Sequence, residues 1–145
     1  MDIREYTKLE IASRQLEMAL TIFNSGGGPF SALTLAGAAE EVFGKFVKKN
    51  GEPAAIDHLA DSYIHLKAVH SGEVPSKSEA CSRINSAKNS VKHMNLVGDE
   101  YVYLDPKWEA HEMIMRCIVN FKLLEQPLTN AMIEFLNKDS QWQRA

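Results

Sequence analysis

The sequence predicts an all-α bundle of five or six helices, and three observations carry that prediction. Apolar residues recur at three- and four-residue spacings along most of the 145 residues. Gly, Pro and capping residues interrupt them at helix-length intervals. Only one short stretch alternates as a strand does. With 45% hydrophobic and 24% charged residues, the chain can bury one real core and is short for two, so residues 1–145 read as a single domain.

Leu9, Ala12, Leu16, Ala19, Leu20 and Phe23 mark a first amphipathic helix from about Arg4 to the stop "NSGGGP". A second begins after Pro29 with an inward stripe of Ala32, Leu35, Ala36, Ala39, Val42, Phe43, Phe46 and Val47. Two cations and an Asn-Gly pair in "KKNG" close it. The third starts around Pro53, carries Ile56, Leu59, Ala60, Tyr63, Ile64 and Leu66, and ends at "HSGEVP". Ser76 and Glu79 have capping-box spacing and open a fourth helix expected to reach about Leu96.

"VGDEYVYLDP" reads as extended, with Gly98-Asp99 as a turn. Asp105-Pro106 then supplies an N-cap and first-turn proline for a fifth helix that is apolar on nearly all sides, as suits the middle of a bundle or a dimer. Pro127 breaks it. "LTNAMIEFLNK" makes a last short helix before a polar tail from about residue 139.

A net charge of −3 gives no global attraction for a polyanion, so contact with nucleic acid would need a local basic patch. The charged start "MDIREYTKLE" lacks an apolar signal region, and no run of about 18 apolar residues occurs, which predicts a soluble protein without a membrane span. Cys81 and Cys117 lie far apart without ligand spacing and read as small buried hydrophobes of a reducing cytoplasm. No metal or cofactor site is expected.

The stretch "AKNSVKHMN" holds the candidate chemistry. On a wheel of 100° per residue, Ala80, Ile84, Ala87, Val91 and Met94 face one way. Asn85, Asn89, Lys92 and His93 face the other, and Lys88 sits on the flank. The polar face is either an ordinary solvated surface or a site. His93 is the one histidine of the chain with a Lys or Arg five to seven residues before it. With Asn required directly after the basic residue, such a pattern arises by accident only at the level of a few hundredths.

Lys88, Asn89 and His93 resemble the motif of the HEPN domains, helical bundles whose nucleases carry an Arg, often followed by Asn, and a His with four to six residues between the Arg and the His. "SALTLAGAAEEVFGKFV" is also similar to the second helix of small bacterial proteins of this type. The resemblance spans the first to the fifth helix. It implies a homodimer that cleaves RNA without metal in a shared cleft. His93 would move the proton of the attacking 2′-hydroxyl, Lys88 would stabilise charge on the phosphate, and Asn89 would orient the histidine. Asn85 and Lys92 would support them from the same face. RNA and a nucleotidyltransferase-like protein are the partner classes the resemblance implies.

Lys88 stands where those nucleases have Arg, and an ammonium cannot grip phosphate with a planar fork. A non-catalytic module keeping this face for dimer or partner contact, or for nucleotide binding, is the alternative. Glu40 lies about 90° from the centre of the second helix's stripe and reads first as a boundary carboxylate without a partner, its alternative being to reach His93 or a basic side chain. Gly37, opposite that stripe, either leaves room for close approach of another helix or is simply a tolerated helix glycine. Asp57, His58, Asp61 and His65 share a polar face of the third helix and read as solvated i,i+4 pairs.

Overall fold

Capping fixes where the first helix begins. Thr7 is extended, at φ −76° and ψ 150°, and its hydroxyl accepts the Glu10 N–H at 3.1 Å. Helix α1 (Lys8–Asn24) therefore starts at Lys8 rather than near Arg4. The computed structural model describes residues 1–142 and continues through α2 (Pro29–Lys49), α3 (Ala55–Ser71), α4 (Lys77–Ile84), α5 (Ser86–Ser90), α6 (Pro106–Leu123) and α7 (Asn130–Trp142). Among the described residues there is no strand, so the molecule is all-α, with seven helices rather than five or six.

The core lies where α2 packs between α1 and α6, with α7 laid across α1. Leu16 and Leu20, Leu33 and Phe43, Ile114 and Ile118, and Met132 and Phe135 are all fully buried. Each such side chain contributes roughly 1.5–3 kcal/mol relative to exposure. Phe43 meets Phe121 edge-on at 5.5 Å. Helix α2 is covered on more than its predicted stripe, since Leu33, Gly37, Glu40 and Gly44 are buried as well. Most of the all-round apolar surface of α6 is covered within the chain's own bundle, while Val119 and Leu123 stay exposed.

Asn120 of α6 is fully buried, and its Oδ1 accepts the Ala55 N–H at 2.8 Å, which ties the start of α3 to the core. Asp57 secures the same end by accepting the Ala54 N–H at 2.9 Å. Ser76 and Glu79 form the expected reciprocal cap of α4, and Asp105 accepts from the Lys107 and Trp108 N–H groups at the start of α6.

The expected fourth helix is shorter and broken. It stops at Ile84, and Asn85 turns the chain at φ −88° and ψ 2° into the single turn of α5. The sequence "SAKNS" is poor in helix formers, and Ser90 Oγ donates back to the Ala87 carbonyl at 2.9 Å. From His93 to Leu104 the chain carries no helix, and Met94, assigned to the inward side by an unbroken wheel, is exposed. The Gly98 turn does form, with φ 97° and Asp99 N–H on the Leu96 carbonyl at 3.2 Å. Tyr101 to Leu104 finds no neighbouring strand to pair with.

Helix α7 continues to Trp142, so the tail expected from residue 139 begins as helix, and its last residues, 143–145, lie outside the described residues. No helix among the described residues is long and apolar enough to cross a membrane.

Candidate functional site

The break at Asn85 decides the fate of the motif. It rotates α5 so that Ala87 and Lys88 turn inward while Asn89 and His93 stay exposed. Lys88, placed on a flank by the wheel, is only 5% exposed. Its ammonium lies 3.7 Å from Glu40 Oε2, and Arg116 Nη2 donates to Glu40 Oε1 at 2.9 Å. The same Arg116 nitrogen donates to Asn85 Oδ1 at 2.8 Å. Asn85, expected on the solvated face, is thus an internal acceptor.

One carboxylate therefore serves two cations between α2, α5 and α6. Pairing of this kind is what allows charges to sit away from water, since an unpaired charge there costs several kcal/mol. Glu41, one residue on, adds negative charge from the rim: its carboxyl is held below the usual range first by the Lys45 hydrogen bond and further by the fields of Lys88 and Lys92, against partial burial. Arg116 Nε, in contrast, is buried without an acceptor.

Gly37 makes the inward path of Lys88 possible. A Cβ on it would stand 2.7 Å from Lys88 Cδ and 2.8 Å from Cγ, so the lysine stem lies directly on the glycine backbone. The close approach permitted by Gly37 is thus that of a side chain on α5. Beneath it, Cys117 Sγ donates to the Ala36 carbonyl at 3.1 Å, and burial, then the Glu40 charge, pushes its thiol well above its ordinary pKa.

Asn89 and His93 line an open cavity of about 380 Å³ together with Ser90, Asn95, Asp99 and Tyr101. His93 N–H bonds to the Asn89 carbonyl at 3.1 Å, which keeps the two on consecutive turns. Lys92 and His93 also border a neighbouring depression with Phe30, Met94, Asp99 and Glu100. The structure thus divides the expected constellation: Asn89, Lys92 and His93 look outward, whereas Lys88, Glu40 and Asn85 belong to an interior cluster. Such a surface can orient a hydrogen-bonding partner and move a proton at His93, but Lys88 is not presented to a phosphate.

Two residues without an assigned role prove central. Arg116 organises the interior cluster, and its signal was a lone cation inside the apolar run "MIMRCIVNF". His111 is buried against α7, with Nε2 2.8 Å from Asp139 Oδ1 and Nδ1 3.1 Å from Glu112 Oε1. Both partners are carboxylates, so only the imidazolium can donate to both. The Glu112 hydrogen bond, and after it Asp139, raise this histidine above 6.5 in spite of burial. It borders a separate cavity of about 260 Å³ with Phe23, Asn24 and Lys138, and Trp108 stacks on it at 6.0 Å.

The two carboxylates of the α3 polar face pair outside their own helix, Asp57 with Lys48 at 3.2 Å and Asp61 with Lys77, rather than i,i+4 along it. Among the described residues no group of three or more His, Cys, Asp or Glu side chains could hold a metal.

The molecule is thus an all-α bundle with a buried three-residue charge cluster beneath an open polar face. No family model matches the chain, and no match to it was found among curated proteins or solved structures.

Proposed function

We propose that this chain is a non-catalytic, HEPN-like interaction module whose Lys-Asn-x3-His stretch does two jobs, locking the fold through Lys88 and presenting Asn89, Lys92 and His93 to a partner. The observation that carries this reading is the burial of Lys88 against Glu40. A phosphate seeking that ammonium would have to displace a carboxylate already held in place by Arg116. The resemblance of the motif supports the family, and the exposed polar face supports the role in contact. A nucleotidyltransferase-like protein is the kind of partner the resemblance suggests.

RNA binding with metal-independent cleavage is the second reading, favoured by one specific observation: Asn89 and His93 border the same open cavity. Purified protein incubated with a fluorescent single-stranded RNA in excess EDTA, beside a His93→Ala variant, separates the two. The expected result is no cleavage by either protein. Cleavage that leaves cyclic-phosphate ends and disappears in the variant would overturn the non-catalytic reading.

A further inference from the structure

Helix α3 meets the core mainly at its first turns. The Asn120 side chain accepts the Ala55 N–H at 2.8 Å, and within the helix only Ala55 and Ala60 are buried. Beyond Ala60 every α3 residue is at least partly exposed. Between α3 and α6 runs a groove of about 330 Å³, a volume at the lower end of the range for small-molecule sites.

Each wall of the groove is one face of a helix. Leu59, Tyr63 and Leu66 line it from α3, and Glu109, Glu112 and Arg116 from α6, both sets at spacings of three and four residues. Ala55 sits at Asn120, and the later residues of α3 line the groove with earlier residues of α6, so the two helices run in opposite directions. Leu59 therefore lies toward Arg116 and Leu66 toward Glu109. The groove has a carboxylate end and a guanidinium end, two helical turns or roughly 10 Å apart along α6.

Both ends have unused bonding capacity. Among the described residues Glu109 makes no hydrogen bond or ion pair. Partial burial, then the negative charges of Glu112 and Asp105, raise its carboxyl above the ordinary range against the weaker pull of Arg116. Glu112 lends one oxygen to His111 Nδ1 at 3.1 Å. At the other end Arg116 is only 6% exposed; its Nη2 donates to Glu40 and Asn85, while its Nε has no acceptor. A buried donor in that state is destabilising until an acceptor reaches it.

We infer that the groove between α3 and α6 binds a small organic amine with a ring-bearing apolar body, its ammonium against Glu109 and Glu112 and an oxygen at its far end accepting from Arg116. Charge complementarity selects this occupant. An anion would meet two carboxylates, and a wholly apolar molecule would leave Glu109 and the Arg116 donor unsatisfied. Leu59, Tyr63 and Leu66 supply the apolar and aromatic contact for the body. None of Asn89, Lys92 and His93 lines this groove, so the site is separate from the motif face.

Calorimetric titration of the full-length chain with tyramine tests the inference, beside phenethylamine, which lacks the hydroxyl, and tyrosol, which lacks the ammonium. Tyramine is expected to bind once per chain, phenethylamine about tenfold more weakly, and tyrosol without measurable heat. Glu109→Gln should weaken tyramine about tenfold or more with unchanged helical dichroism. Ser62→Trp, at an exposed position of the α3 wall, should fill the groove and abolish binding while leaving both carboxylates in place. No binding at millimolar tyramine, or binding that either variant leaves intact, overturns the inference, the latter marking loose pairing of an amine with acidic surface. Tyrosol binding as tightly as tyramine also overturns it, and phenethylamine binding as tightly as tyramine overturns the part given to Arg116.

Discussion

Helix α6 carries two buried ionic groups little more than one turn apart, and they differ in kind. The Arg116 group joins a guanidinium and an ammonium to one carboxylate. The His111 group joins two carboxylates to an imidazole whose proton comes and goes near neutrality. The first fastens α2 and α5 to α6, and the second fastens α7 to α6. The contrast sets a shared carboxylate at the centre of the bundle against a titrating histidine at its last helix.

Removing the shared carboxylate should break the first group most severely. Glu40→Ala leaves Arg116 and Lys88 facing each other without a counter-charge, and urea denaturation should show a loss of about 3–5 kcal/mol. Lys88→Met keeps the shorter Arg116 contact and fills the same space, so its loss should stay below about 2 kcal/mol. A Lys88→Met effect equal to that of Glu40→Ala would contradict the view of Arg116 as the principal partner.

Gly37→Ala should cost about 1–3 kcal/mol by driving the lysine stem out of its bed, offset in part by about 1 kcal/mol of better helix propensity. Thermal melts of Gly37→Ala and of the Gly37→Ala/Lys88→Ala double variant sharpen the point, because the second change removes the clash. The double variant should regain part of what the first one loses.

The second group is tested by pH. A histidine whose folded pKa is raised contributes stability that is fully present below its ordinary value of 6.5 and is lost as pH rises through the folded value. Melting temperatures of the wild type should therefore fall from pH 6 toward alkaline pH relative to those of His111→Phe, which has no proton to lose. Parallel pH curves for the two proteins would remove His111 as the source.

The smallest effect concerns thiols. Cys81 is half-buried and Cys117 fully buried with a raised pKa, so an aromatic disulfide reagent should label Cys81 first. Glu40→Ala should hasten labelling of Cys117, because opening the cluster exposes it.

The helices that could be read from sequence were those with a stripe, a cap and a stop, as in α2, α4's first turn and α6. The break at Asn85 could not, because Asn is a weak breaker by itself and the turn is fixed by Arg116, a residue far along the chain. That one bend overturned the helical wheel, sent Lys88 inward and released Met94. Asn89 and His93 keep their outward positions because neither has an interior partner to attract it. Glu40 was legible as a boundary carboxylate, while the identity of its partners depended on how α5 docks.

The bed that Gly37 makes for Lys88 is finally a constraint on divergence. Positions 37 and 88 share one volume, so any bulk gained on α2 must be surrendered on α5. In chains that keep this packing, the two sites should change as a pair, glycine accompanying a long side chain and alanine or serine a short one. A change at 37 alone would mark a chain whose fifth helix no longer docks there.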